Sequence, residues 1–354
     1  MARYWTKVVF TACTALWLAG SAAAGQEPLS LQPGKSWTHR HSGISVPATL
    51  AGTPRERGMA FAEDDLDVGL SFTVGDAVES LTFYVFRDTN GGVPLWFAQA
   101  QWGIENRDAY GHPVIAVAPQ AFVPPGQTVA SGLKAIYTPK GGPYRSTGVM
   151  LFPVGEWYVK VRASSQTRPP AELGKWMDSA LAEIGWPTTI ANGPLAAPVT
   201  DCATPLVFEG KSRDISGDMM QDAIGAALVS AAAGEAKKEP VAVQWCRDRK
   251  LEGNQAVYRA NAATDAYLLA VGDNGNGIEV ARSIGSLPGV AKDKAPRYGI
   301  TLHMAAQDIN FASQDRLPSP DRILAIVNEG RFTSTVATWG EKRDVRISGG
   351  AKQE

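Results

Sequence analysis

Apolar residues in this chain recur in short runs with a period of two, and that spacing constrains the fold more than any other feature. Successive side chains of an extended backbone point to opposite faces, so a period-two run is a strand with one face turned to a core. Residues 69–74 (GLSFTV) read this way, as do residues 43–47, which stop at Pro47. In residues 81–86, Leu81, Phe83 and Val85 share one face while Thr82, Tyr84 and Phe86 share the other. Apolar groups on both faces place that strand in the middle of a sheet or beneath a helix. Further strands are expected at residues 113–117, 132–137, 148–152 and 156–163. Val154-Gly155 has the chemistry of a hairpin link, which makes the last two strands antiparallel neighbours.

Two segments break the period. Residues 94–107 open on Pro94, which suits a first helical turn because the missing N–H has no partner to lose there. Val93, Trp96, Phe97, Ala100 and Ile104 then fall on one stripe. In residues 170–184, Leu173, Trp176, Met177, Ala180, Leu181 and Ile184 follow helical spacing until Gly185 and Pro187 end it. Trp176 and Met177 therefore belong to a core stripe and not to a ligand surface. Residues 186–199 (WPTTIANGPLAAPV) hold three prolines and no sustained period, which marks a domain boundary. Beyond it an Ala-rich helix is expected over residues 216–233. Strands are expected at 205–209, 241–246, 255–260, 266–271, 278–283, 299–305, 324–328 and 333–338, separated by loops rich in Gly, Pro, Asp and Asn. The expected fold class is α+β: antiparallel sheets with a few packed amphipathic helices, in an N-terminal domain over residues 25–190 and a C-terminal domain over residues 200–347.

The first 24 residues read as a cleaved export signal. Arg3 and Lys7 are followed by an apolar run over residues 8–18 and by small residues ending at Ala24. The run is too short for a membrane anchor, and Cys13 lies inside it, not at its end where a lipidated cysteine belongs. No later run reaches spanning length, so no membrane span is expected after cleavage. The destination expected is the periplasm, with the extracellular space as the alternative. Cys202 and Cys246 then remain, and an even pair in an oxidising compartment reads as a structural disulfide. Losing Arg3 and Lys7 takes the formal net charge from -1 to -3. Neither nucleic-acid binding nor polybasic adhesion has its electrostatic footprint.

Reactive motifs are scarce. G-x-S-x-G, H-E-x-x-H, a P-loop and G-x-G-x-x-G are all absent. His39 and His41 share one side of a short extended stretch, a possible metal pair that a polar strand edge explains as well. Ser131-Gly132-Leu133-Lys134 has S-x-x-K spacing in what reads as a strand, where that chemistry needs a helix. The acidic run Glu63-Asp64-Asp65-Leu66-Asp67 reads as a solvated loop, and residues 273–277 (DNGNG) as a hairpin turn, not as calcium loops. Among the tryptophans, Trp37, Trp102, Trp186 and Trp339 have no assigned inward face. They are the candidate ligand-surface aromatics.

Trp37-x-His39 with Ser42-Gly43-Ile44 and Pro47, then Leu151-Phe152-Pro153-Val154-Gly155-Glu156-Trp157 with Lys160-x-Arg162, and then Asp201-Cys202, together resemble exported proteobacterial proteins that carry no assigned function. The resemblance implies export and a two-part build, and no activity. The expected function is a non-enzymatic envelope protein that binds a small molecule or an envelope protein partner. A hydrolase-type enzyme with a dispersed site and an envelope assembly factor are the alternatives. No cofactor or metal is expected.

Overall fold

The period-two runs fold into two nine-stranded sheets in a computed structural model that describes residues 26–76, 78–215, 242–283, 296–341 and 343–348. The export signal expected over residues 1–24 and the helix expected over residues 216–233 lie outside the described residues.

The first sheet uses β1 (Glu27–Pro28), β4 (Thr49–Leu50), β5 (Thr53–Ala60), β6 (Asp67–Val74), β7 (Glu79–Arg87), β8 (Val114–Phe122), β9 (Gly132–Thr138), β10 (Ser146–Val154) and β11 (Trp157–Ser165). Its order is β1-β5-β6-β7-β11-β10-β9-β8, with β4 pairing β5. A small hairpin, β2 (Trp37–Thr38) with β3 (Ser45–Val46), lies beside it. The β10–β11 link is the expected tight hairpin: Val154 pairs with Trp157, and Gly155 takes the left-handed φ of 61° that the turn requires. β7 is central, between β6 and β11.

Helices cover both faces of this sheet. α2 (Pro170–Ala182) buries Leu173, Trp176, Met177, Ala180 and Leu181 against Leu81, Phe83, Val85, Met150, Phe152, Val159 and Val161. α1 (Val93–Glu105) buries Leu95, Trp96, Phe97, Ala100 and Ile104 on the opposite face, against Phe86, Leu133, Val149, Leu151 and Tyr158. Both helices begin at proline within their first turn, as expected.

The second sheet is a meander in chain order: β12 (Thr200–Asp201), β13 (Trp245–Lys250), β14 (Gln255–Ala260), β15 (Tyr267–Val271), β16 (Gly277–Arg282), β17 (Tyr298–His303), β18 (Gln307–Gln314), β19 (Phe332–Ala337) and β20 (Val345–Ile347). β12 pairs with β13 in parallel, and Cys202 and Cys246 are disulfide-bonded across this corner. One face of β15–β18 carries Leu269, Ile278, Val280, Ile300, Leu302, Ile309 and Phe311. α3 (Pro320–Asn328) caps that face with Ile323, Ile326 and Val327. The two sheets share one apolar cluster, because Ala256, Tyr258, Leu268 and Ala270 of the second pack with α1 and the first.

This architecture corrects the α+β expectation. The described residues hold twenty strands and only three helices, of 13, 13 and 9 residues, so the molecule is mostly β. The helices cover sheet faces and do not form a layer of their own, because three short amphipathic stripes cannot span sheets this wide. Local assignments change too. Residues 324–328, expected as a strand, belong to α3: Ser319 caps its N-terminus by accepting from Arg322 N–H, and Pro320 follows. Residues 205–209 form no strand, since the Leu206 N–H donates to the Asp248 carboxylate at 2.7 Å. β18 was expected as loop; its alternation of Asp308 and Asn310 with Ile309 and Phe311 is a strand with one polar face.

Candidate ligand cleft

The two sheets meet along a polar seam. The turn after β15 inserts Asp273 into the first sheet, where its carboxylate pairs with Lys160 Nζ at 2.9 Å and with Arg162. Lys160 also donates to the Asp273 carbonyl, and its ammonium lies 4.7 Å from the centre of the Tyr84 ring. Burial alone would raise the Asp273 pKa, but the two cations hold it far below the usual carboxylate range. Asp67, in the same network and bonded by Asn274, is pushed up to about 6 by burial, which outweighs its attraction to Lys160. Nearby, Gln99 of α1 donates to the Asn254 and Gly272 carbonyls and accepts from the Tyr258 hydroxyl.

Beside this seam opens a cleft of about 1370 Å³. The end of β7 and the following loop (Arg87, Asp88, Asn90), the β10–β11 turn (Glu156) and the β19–β20 loop (Trp339, Glu341) wall it. Its other side is the second sheet, which presents Trp245, Leu268, Glu279 and His303. Period-two alternation explains that side: Leu268, Glu279, Thr301 and His303 point one way because Val280, Ile300 and Leu302 point to the core under α3.

Three sets of titratable groups shape the cleft. His303 lies between two carboxylates, with Nδ1 2.8 Å from Asp308 Oδ1 and Nε2 3.1 Å from Glu279 Oε2. Burial would lower its pKa, but these bonds raise it to about 9, so it is an imidazolium that donates from both nitrogens at neutral pH. Asp88 is open to the cleft yet walled by protein; that enclosure raises it to about 6 even though Tyr158 hydrogen-bonds it. Arg87 donates to Ala305 O (2.8 Å), Thr338 Oγ1 (2.9 Å) and Thr338 O (2.8 Å), with its guanidinium 5.1 Å from the centre of the Trp339 ring.

A latch closes one rim. Trp339 Nε1 donates to Asp64 Oδ2 at 2.6 Å, and Arg40 pairs with the same carboxylate at 2.9 Å. The Trp339 bond is the main cause holding Asp64 below its ordinary pKa. His41 stands against Trp339 edge to face at 4.9 Å and stacks on Trp157 at 5.9 Å. Asp64 and Asp65 both take left-handed backbone (φ 55° and 58°), and their carbonyls accept from His41 Nε2 and His39 Nε2. His39 is buried, which lowers its pKa, and its Nδ1 accepts from Ser42.

Of the four candidate aromatics, Trp339 alone reaches the cleft. Trp37 packs at the edge of the core beneath α2, and Trp102 lies on α1 with Lys250 Nζ 4.9 Å from its ring centre. Trp186 packs 5.7 Å from Phe152 and donates to Leu181 O. Trp245 joins Trp339 in the cleft, although its place beside Cys246 had marked only a strand. His39 and His41 do not share a strand edge: β2 ends at Thr38, and residues 40–42 form a turn. Among the described residues no group of three or more His, Cys, Asp or Glu could hold a metal. Ser131 and Lys134 are bonded elsewhere, to Gln127 and Asp178. The acidic run at residues 63–67 serves the latch and the seam, and the residue 273–277 turn supplies the seam's central carboxylate. Sequence reasoning did not join Glu279, His303 and Asp308, because they stand on three different strands. The polar half of each strand's alternation was the available signal.

No protein-family model, no curated protein and no solved structure matches the chain.

Proposed function

We propose that this chain is an exported, non-enzymatic binding protein whose small ligand occupies the cleft between the two sheets. The convergence of Trp245, Trp339 and charged groups from both sheets on one concave space carries the reading. The state of His303 supports binding over catalysis: both of its nitrogens are engaged as donors to carboxylates, so it has no lone pair to act as a base at neutral pH. The Cys202–Cys246 disulfide and the leader-like N-terminus support export. Among the described residues no helix is long and apolar enough to cross a membrane. The test is native mass spectrometry on protein taken from the envelope of the producing cell. A retained mass that Trp339→Ala loses supports the reading, and a retained mass indifferent to Trp339→Ala moves the ligand out of the cleft.

The Glu279–His303–Asp308 cluster is the one observation that favours a hydrolase-type enzyme. On that reading His303 must shed one carboxylate, and Glu279→Gln would raise activity against an ester panel. On the binding reading no ester turns over with either form.

A further inference from the structure

The charges around the cleft are unequally committed. Asp308 is bound to His303, and Asp64 to Arg40 and Trp339. Arg87, the cation nearest the floor, spends its donors on Ala305 and Thr338. Arg87 still attracts Glu156 and Asp88, yet among the described lining residues the carboxylates of Asp64, Asp88, Glu156, Glu279, Asp308 and Glu341 outnumber Arg87, Arg343 and the His303 imidazolium.

Asp88 and Glu156 are held side by side. The Asp88 N–H donates to the Glu156 carbonyl at 2.9 Å, which fixes the end of β7 against the β10–β11 turn. Enclosure by protein disfavours the charge of the Asp88 carboxylate, while the Tyr158 hydroxyl bonded to it favours that charge. Aromatic surface flanks this pair. Trp245 Nε1 lies 3.5 Å from where a Cβ on Gly92 would stand, at the far end of the same loop, and Trp339 lies over Arg87 at the near end. Ring faces attract cations and repel anions. Arg87 already stands on the Trp339 ring and attracts both carboxylates, but the carboxylates and ring faces outnumber it, so a cation is favoured here over an anion.

Resting on the reading of the cleft as a binding site, we propose that its ligand is an organic cation. The ligand is an alkyl- or arylalkylammonium whose charged head is received by Asp88 and Glu156 and whose apolar body lies against the cleft tryptophans. A substituted ammonium fits better than a bare metal ion, because a large cavity with indole walls supplies apolar contact and few oxygen ligands.

The test is calorimetric titration of the full processed chain with three probes of one shape: phenylpropylammonium, phenylpropanol and phenylpropionate. The ammonium is expected to bind about tenfold or more tightly than the alcohol, with the propionate weakest. Asp88→Asn and the exposed Glu156→Gln should each erase most of that advantage while leaving the alcohol's affinity in place. Binding of alcohol or propionate as tight as that of the ammonium overturns the cation and leaves the cleft standing. Failure of all three probes to bind also overturns the cation, while the retained-mass experiment decides the cleft separately. Unchanged ammonium affinity in both variants removes the charged head from Asp88 and Glu156.

Discussion

Strand β10 of the first sheet buries all nine of its residues, whereas β17 of the second buries every other one. The difference follows from what lies on each face. The first sheet has α2 on one side and α1 with part of the second sheet on the other, so both halves of each strand's alternation are apolar. The second has α3 on one side; on its other side β14 and β15 pack against α1 and the first sheet, and beyond them Glu279 and His303 face the cleft. A sheet buried on both faces makes a scaffold, and a sheet buried on one face has side chains to spare for a site.

The largest expected effect breaks this comparison, because it damages the first sheet by a change in the second. Asp273→Asn leaves Lys160 and Arg162 buried without their counter-ion. Removing one partner of a buried pair typically costs about 3–5 kcal/mol, which urea unfolding would read as a lower midpoint for a single transition. Cys202→Ser with Cys246→Ser confines the damage to the second sheet. The cysteines are 44 residues apart, and opening such a loop should cost about 2–4 kcal/mol by the same measurement.

The two regions also separate by pH. Asp67 has its folded pKa raised to about 6, so it binds protons more readily in the fold, and the stability this gives is lost as pH rises from about 4 to 6. Asp88 adds to the same window. His303 is raised to about 9, so its contribution is complete below about 6.5 and lost as pH climbs to 9. Glu279 is half exposed, so what His303 adds to stability should be about 1–2 kcal/mol. Stability measured across pH should have a shallower first decline in Asp67→Asn and lose its second in His303→Gln. The smallest effect sharpens the role of α3: Ser319→Ala removes the cap that accepts from Arg322 and should cost about 1 kcal/mol.

Much of the first sheet was legible because its apolar alternation is strong and its helices carry clean stripes. α2 begins at the expected Pro170, and Leu173, Trp176, Met177, Ala180 and Leu181 are all buried. The second sheet was harder to read where one face is polar. β18 writes Gln, Asp, Asn and Ser on a strand that is nonetheless paired on both sides. In α3 the β-branched Ile323, Ile326 and Val327 hid a helix whose Ser319-Pro320 start was in plain view. The cleft was the least legible part. Trp339 stood out as an aromatic without an inward face, but Asp88, Trp245, Glu279 and His303 are separated along the chain and joined only by the pairing of the strands. No local spacing encodes that.

Asp273 also orders events in time. A chain is made from its N-terminus, so Lys160 and Arg162 exist well before the residue that neutralises them. Until then the first sheet must carry two cations facing an apolar surface meant for α1 and the second sheet. The early half is thereby kept from settling on its own, and the late half acts as its key. Residues 26–190 expressed alone should remain soft or associate, and adding the rest of the chain as a separate piece should restore them.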